Sequence, residues 1–144
     1  MRFFFYGTLL DGSDNPVARD DHALLSPLGP AGVRGALHAV PDTNGWFPAL
    51  LPGDGLAQGR LYETRPHFSP ADLGRMDAYE DFNPARPDAS LYLRREVELS
   101  DGGTAQAYLF NQPLPPGSMP IAHGDFRRWL DESGEAAFSG LREA

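Results

Sequence analysis

The chain contains no cysteine and no lysine, so all 12 of its basic residues are arginine. Without cysteine there are no disulfides, thiolate metal sites or cysteine nucleophile. Without lysine there is no Schiff-base lysine and no P-loop lysine. No stretch approaches the ~20 consecutive apolar residues of a membrane-spanning helix. The apolar run at the N-terminus breaks at Gly7-Thr8, before it reaches the length of a signal-peptide core. We therefore expect no membrane segment and a cytoplasmic location.

Positive charge is also scarce, and the formal net charge is −8 at pH 7. The arginines are scattered rather than clustered into the basic stripe of nucleic-acid-binding proteins, so we expect no nucleic-acid partner. The histidines lack metal-ligand spacing, and each is predicted to lie in a loop or at the surface; they are His22, His38, His67 and His123. We predict no metal and no cofactor. The richness in Arg, Ala, Gly and Pro is typical of bacterial proteins from GC-rich genomes.

The length of 144 residues predicts a single domain over residues 1–144. Its 14 prolines and 16 glycines are spread along the chain, which favours short elements over a helical bundle. Predicted strands cover 3–9, 32–40, 56–63, 91–99 and 105–110, with a turn at 52–55 and a hairpin turn at 101–103. Predicted helices cover 16–25, 125–130 and 134–142, and another begins with Ser69 as its N-cap and ends before Asn83-Pro84. Because strands predominate, we expect an α+β fold with a strongly bent or barrel-like sheet.

Three consecutive phenylalanines lead into Tyr6-Gly7-Thr8-Leu9. Aromatic residues favour a buried strand, and glycine allows a sharp turn that a ligand can approach closely. The N–H groups of this turn and the Thr8 hydroxyl are suited to bind a carboxylate or a developing oxyanion. A strand that ends in a turn of no chemical function explains the same spacing.

A second candidate is the segment Met76-Asp77-Ala78-Tyr79-Glu80-Asp81-Phe82. A carboxylate placed among methionine and aromatic side chains is partly desolvated, which raises its pKa and suits a general base. Glu80 is the candidate base. The alternative is a solvated, acidic helix end.

The third candidate is Tyr92-Leu93-Arg94-Arg95, which lies in a predicted strand. Alternation places Tyr92 and Arg94 on one face and Leu93 and Arg95 on the other. The first pair is positioned to orient a substrate. The alternative is ordinary packing, with an arginine paired to a nearby carboxylate.

Taken together, these segments resemble the γ-glutamylcyclotransferase-like (AIG2-like) family. Most of the chain takes part in the resemblance, and the motifs follow in the family's order. They are Phe5-Tyr6-Gly7-Thr8-Leu9, Gly35-Ala36-Leu37, Phe47-Pro48-Ala49-Leu50, Gly59-Arg60-Leu61-Tyr62-Glu63, Met76-Asp77-Ala78-Tyr79-Glu80, Tyr92-Leu93-Arg94-Arg95, Ala107-Tyr108-Leu109-Phe110 and Ile121-Ala122-His123-Gly124-Asp125-Phe126. Two positions depart from the pattern: Asp81 stands where the family often has glycine, and Phe126 where it has tryptophan.

The resemblance implies a small mixed β-barrel flanked by a few helices. It implies that the turn Tyr6, Gly7, Thr8 and Leu9 holds the α-amino acid end of a γ-glutamyl group, with Glu80 as general base, and we add Tyr92 as a substrate-binding residue. The implied reaction forms 5-oxoproline and releases an amine, without a cofactor. A non-catalytic binding module on the same fold is the alternative. We expect the outer wall of the pocket from residues 11–22, 40–55 and 83–91. The leaving amine and the oligomeric state are not defined by the sequence.

Overall fold

The computed structural model describes residues 1–7 and 20–138. Its strands are β1 (Arg2–Phe5), β2 (Leu25–Asp42), β3 (Gly45–Thr64), β4 (Tyr92–Glu98), β5 (Thr104–Phe110) and β6 (Met119–Pro120). Its helices are α1 (Pro70–Tyr79) and α2 (Phe126–Ser133), with a short 3₁₀ helix at Pro87–Ala89. The predicted site residues Thr8 and Leu9 lie outside the described part of the chain.

The described strands form one mixed sheet in the order β4-β5-β1-β3-β2-β6. Strand β1 lies in the middle of this order, antiparallel to β3 and parallel to β5. The sheet curls into a half-barrel. The predicted α+β class with a barrel-like mixed sheet is confirmed.

Two hydrophobic clusters cover the two faces of the sheet. Phe3 and Phe5 belong to the cluster that contains Met76 of α1, whereas Phe4 and Tyr6 belong to the cluster that contains Phe126 of α2. This division follows from the alternation of side chains along a strand. The aromatic run at the N-terminus is therefore the centre of the core on both faces.

Strands β2 and β3 form one long hairpin, which corrects the predicted turn at 52–55. Arg34 pairs with Leu56, and the next pair on the other side is Ala36 with Leu51. Residues 52–55 therefore stand opposite Gly35 alone, as an insertion within β3 larger than an ordinary β-bulge. The proline and glycines of this segment form an insertion within β3 and do not reverse the chain, because the residues on both sides of it pair with β2.

The start of α1 agrees with the sequence prediction. The Ser69 hydroxyl accepts a hydrogen bond from the Asp72 N–H at 3.2 Å, and Asp72 accepts from the Ser69 N–H at 2.8 Å. Pro70 occupies the first helical position. These two bonds form a capping box, and hydrogen bonds from Ser69 lower the pKa of Asp72.

Two other helix predictions need correction. The helix predicted at 16–25 is helical at 20–22 but gives way to β2 at Leu25, and its residues 16–19 lie outside the described chain. The helix predicted at 134–142 is not helical over 134–138, because Gly134 adopts φ 74° and ends α2. The chain then returns to β3, where the Phe138 N–H donates to the Trp46 carbonyl at 2.7 Å. The predicted helix at 125–130 and the hairpin turn at 101–103 are confirmed.

The described part of the chain has no helix that is long and apolar enough to span a membrane. Within residues 1–7 and 20–138, no three metal-ligating side chains group together. Two histidines differ from their predicted loop or surface positions. His22 packs against the ring of Tyr62, with centroids 4.7 Å apart, and His38 lies within β2.

Candidate functional site

Glu80 is held in place by the way α1 ends. The Asp81 N–H donates to the Ala78 carbonyl at 3.1 Å, and the Phe82 N–H donates to the Asp77 carbonyl at 2.9 Å. These two bonds, with Asp81 at φ 53°, form a Schellman motif. Asp81 therefore occupies the left-handed position that glycine usually fills, and Glu80 is the C-cap residue just before it.

The carboxyl group of Glu80 does not belong to a solvated helix end, because the residue is only 7% exposed. It lies on the face of α1 that packs on the sheet, together with Met76 and Tyr79, which are also buried. Burying a carboxyl group costs free energy unless hydrogen bonds or opposite charges offset the loss of hydration.

The neighbouring Asp77 has a complete set of partners. It accepts hydrogen bonds from Arg94 Nε at 2.9 Å and from the Tyr108 hydroxyl at 2.7 Å. Arg94 also donates to Gln106 at 3.1 Å. We call these four residues the Asp77 cluster. It attaches α1 to β4 and β5, and it contains the arginine–carboxylate pair that was the alternative role for Arg94.

The Asp77 cluster also reaches the end of β1. The Tyr6 hydroxyl donates to the carbonyl of Tyr108, and the Tyr108 hydroxyl donates to Asp77. Burial, followed by the bond to Asp77, raises the pKa of Tyr108 well above its usual range, so its hydroxyl remains a donor. Two hydrogen bonds thus connect the first residue of the predicted substrate turn with the helix that carries Glu80.

Close contact with Pro48 leaves no room for a side chain at position 7. A Cβ at position 7 would collide with the proline ring and lie 2.8 Å from its Cδ. The carbonyl of Pro48 accepts a hydrogen bond from the Tyr92 hydroxyl at 2.6 Å. Tyr92 is only 2% exposed, so in this structure its hydroxyl supports the wall next to Gly7.

One acidic residue near Glu80 was not identified from the sequence. Asp21 is 6% exposed, and within the described chain its Oδ2 has no hydrogen-bond partner. Burial, and then repulsion by Glu80, raise the pKa of Asp21 to about 7. The sequence offered no signal, because Asp21 lies far from Glu80 along the chain in a segment read as an ordinary helix.

Two cavities in the described region lie elsewhere. One, of about 160 Å³, is lined by residues of β2, the bulge of β3 and the segment 120–124. The other, of about 220 Å³, is lined by Pro30, Gln58, Gly59, Arg60, Asp125 and Arg127. Neither is lined by Glu80 or Asp21.

Comparison with protein families identifies the chain. The family model described as "Gamma-glutamyl cyclotransferase, AIG2-like" matches residues 3–128. The chain belongs to that family. Cyclotransfer of γ-glutamyl groups is the general kind of reaction that this membership supports, and the family acts on small γ-glutamyl substrates.

Solved structures support the same fold for this AIG2-like protein. An AIG2-like protein from Mus musculus is 22% identical, with a TM-score of 0.68, and the match covers 99% of this chain and 97% of the other. An uncharacterized protein from Pyrococcus horikoshii is 19% identical, with a TM-score of 0.64 and coverage of 93% and 96%. At these identities the likeness shows the fold alone.

The fold also occurs as part of a larger protein. Allophanate hydrolase from Kluyveromyces lactis matches 92% of this chain with a TM-score of 0.69 and 17% identity, but only 21% of the hydrolase is covered. No curated protein sequence matches the chain significantly.

Proposed function

We propose that this AIG2-like protein is a γ-glutamylcyclotransferase that converts a γ-glutamyl amine or γ-glutamyl amino acid to 5-oxoproline and free amine, with Glu80 as general base. The observation that carries the proposal is the placement of Glu80. Its carboxyl group is buried at a fixed helix end, and the same helix is hydrogen-bonded through the Asp77 cluster to Tyr6, the first residue of the substrate turn.

The reaction is intramolecular, which suits a site built for positioning. The α-amine attacks the γ-carbonyl carbon of the same molecule, a C–N bond forms, and the bond to the leaving amine breaks. Holding the two groups in a near-attack geometry contributes roughly 7–11 kcal/mol in favourable cases. The wall formed by Gly7, Pro48 and Tyr92 consists of packed side chains and one short hydrogen bond, so it is suited to hold a substrate rigidly.

A proton must leave the α-ammonium group before the nitrogen can attack. An α-ammonium has a pKa near ~8 and a carboxylic acid of glutamate about 4.3, so transfer in water is unfavourable by roughly 5 kcal/mol. Burial and a like-charged neighbour both raise the pKa of a carboxyl group, so its difference from the pKa of the α-ammonium becomes smaller. Glu80 then passes the proton to the leaving nitrogen, and the released amine takes up the second proton that the ring nitrogen loses.

The negative oxygen that forms on the γ-carbon needs hydrogen-bond donors. The N–H groups of the turn Tyr6, Gly7, Thr8 and Leu9 are the proposed donors, each worth ~3–4 kcal/mol in comparable sites. Tyr92 is proposed to act beside them by supporting Pro48. Thr8 and Leu9 enter on the sequence resemblance alone.

The test is Glu80→Gln, which keeps the shape of the side chain and removes the base. We expect the release of 5-oxoproline to fall by about 10²–10⁴-fold, the usual contribution of a general base. Substrates to assay are γ-glutamyl dipeptides, γ-glutamyl amines and ε-(γ-glutamyl)lysine. Glu96→Gln, the same change at an exposed position of β4, is the matched control.

Two results would contradict the proposal. Product formation at the wild-type rate by Glu80→Gln would show that Glu80 is not the base. Saturable binding of γ-glutamyl compounds by the wild type without product would indicate the alternative, a non-catalytic binding module. The single-domain organisation and the cytoplasmic location stay predictions.

A further inference from the structure

The helical turn at 20–22 presents a buried carboxyl group toward α1. Asp21 is only 6% exposed, and Oδ2 has no hydrogen-bond partner among the described residues. The next residue, His22, packs its ring against Tyr62 at 4.7 Å and against Phe5 at 6.1 Å between centroids. Packing of His22 therefore fixes the turn on the sheet.

The charges around Asp21 are predominantly negative. Glu80 exerts the strongest charge effect on it, and Asp72 and Arg75 of α1 and Asp20 of its own turn also act. Arg75 is the one cation in this set, but it is ion-paired with Asp72 and its side chain is 68% exposed. Among the groups that act on Asp21, negative charges therefore outnumber the single positive one.

Helix geometry explains why these residues act together. Asp72, Met76 and Glu80 are spaced four apart and so share one face of α1. Met76 on that face belongs to the same buried cluster as Leu25, which follows the turn that carries Asp21. Asp72 and Glu80 on that face both act on the charge of Asp21, so the turn at 20–22 lies near it.

We propose that Asp21 is the second carboxylate of the site and receives the α-ammonium group of the γ-glutamyl substrate jointly with Glu80. This inference rests on the proposed function. Two buried carboxyl groups, one of which has an oxygen without a hydrogen-bond partner among the described residues, are suited to a compact cation with several N–H donors. A substrate ammonium has three such donors.

The proposal divides the work between the two carboxyl groups. When the ammonium binds, Asp21 ionises, its proton leaves to solvent, and its Oδ2 accepts one N–H. Glu80 accepts another N–H and removes that proton before the nitrogen attacks. Asp21 keeps its hydrogen bond to the nitrogen and so orients the remaining lone pair toward the γ-carbon.

The charge of Asp21 also acts through Glu80. Repulsion between two carboxylates is reciprocal, so an ionised Glu80 and an ionised Asp21 each disfavour the other's charge. On the sheet side, Tyr108 faces Glu80, and behind it Asp77 and Arg94 neutralise each other. Removing the Asp21 carboxyl group therefore removes one acidic group that is coupled to Glu80.

The experiment compares Asp21→Asn with the wild type and with Asp101→Asn, the same charge change in the exposed hairpin turn. With γ-glutamyl ethylamide as substrate, we expect KM to rise about 10- to 100-fold, as for a lost charge-assisted hydrogen bond. The acid limb of the kcat/KM profile should move to lower pH, because binding no longer requires the ionisation of Asp21, whose pKa is raised to about 7. An unchanged KM together with an unchanged limb would overturn the proposal.

A binding measurement separates this proposal from the proposed function. In a Glu80→Gln background, calorimetry compares γ-glutamyl ethylamide with N-ethylglutaramate, which lacks only the ammonium group. We expect the amine-bearing probe to bind more tightly, and the preference to disappear when Asp21→Asn is added. A preference that survives Asp21→Asn, or is absent from the start, overturns the role of Asp21. A wild type that forms no product but shows this preference overturns the cyclotransferase proposal and leaves Asp21 as an ammonium ligand.

Discussion

Asp77 and Asp21 are both buried carboxyl groups that act near the C-terminal end of α1, but their surroundings differ in sign. Asp77 accepts hydrogen bonds from Arg94 and Tyr108, so its charge is compensated. Asp21 faces the carboxylate of Glu80, and its Oδ2 has no partner in the described structure. Hydrogen-bond donors contact the carboxyl group of Asp77, whereas the charge of Glu80 repels that of Asp21.

The difference separates a structural acid from a functional one. Asp77 joins α1 to the sheet, and it stabilises the fold by accepting the hydrogen bonds of its buried partners. An uncompensated group costs folding free energy, and such costs are tolerated where a ligand later supplies the missing partner. The following predictions test this contrast, from the largest expected effect to the smallest.

The largest effect on stability concerns Asp21. Its pKa is raised from 3.8 to about 7 in the folded state, so folding favours the protonated acid. The stability that the neutral acid provides is complete below pH 3.8 and is lost as pH rises through 7. We expect Asp21→Asn to be more stable than the wild type by up to about 4 kcal/mol at pH 8 and by little at pH 4.

Urea unfolding of both proteins between pH 4 and pH 8 measures this dependence. Asp101→Asn should follow the wild type at every pH. If the difference in the free energy of unfolding between Asp21→Asn and the wild type is constant from pH 4 to pH 8, the charge of Asp21 is compensated in the folded protein.

The opposite sign is expected for Asp77→Ala. This change leaves the Arg94 guanidinium and the Tyr108 hydroxyl without their shared acceptor, and we expect the free energy of unfolding to fall by about 3 kcal/mol. The value is at the low end of the range for buried pairs because the Arg94 side chain is 20% exposed. Urea unfolding at pH 7 provides the measurement.

The double variant Asp77→Ala, Arg94→Met sharpens this prediction. Removing both charges should recover part of the loss, since no buried cation is then left unpaired. A double variant as unstable as the sum of the two single variants would show that Asp77 and Arg94 do not stabilise each other.

The smallest effect concerns Asp81, the acidic residue that adjoins Glu80 in sequence. It occupies the left-handed C′ position of α1, with φ 53°, where glycine carries no steric cost. We expect Asp81→Gly to stabilise the protein by about 0.5–1 kcal/mol and to leave kcat/KM unchanged. The expected result is a higher thermal midpoint with unaltered 5-oxoproline release. A shift in the pH profile of kcat/KM would instead show that the charge of Asp81 affects the site.

Local signals in the sequence predicted the local structure. The Ser69-Pro70 start of α1, the glycine hairpin between β4 and β5 and the buried aromatic strand each depend on residues within a few positions of one another. The bulge at 52–55 differs from the predicted turn because the same residues suit either structure, and the pairing of the distant flanks decides between them. Gly134 begins the predicted helix at 134–142, but in the structure it ends α2.

The site divides in the same way. Glu80 was identified from its own segment and from the family resemblance, and its burial agrees with the expected environment. Asp81 is the acidic residue next to Glu80 in the sequence, whereas Asp21 is the residue whose charge acts together with that of Glu80. That relation depends on how the turn at 20–22 packs on α1, which a single sequence does not encode locally.

The contact between Gly7 and Pro48 has a consequence for the evolution of the site. The two positions occupy one shared volume, so the side chain permitted at one depends on the size of the other. A larger residue at position 7 is therefore compatible with the fold only after Pro48 has been exchanged for a smaller one. Changes at these positions are expected to be epistatic, and drift away from this pair requires both changes in that order.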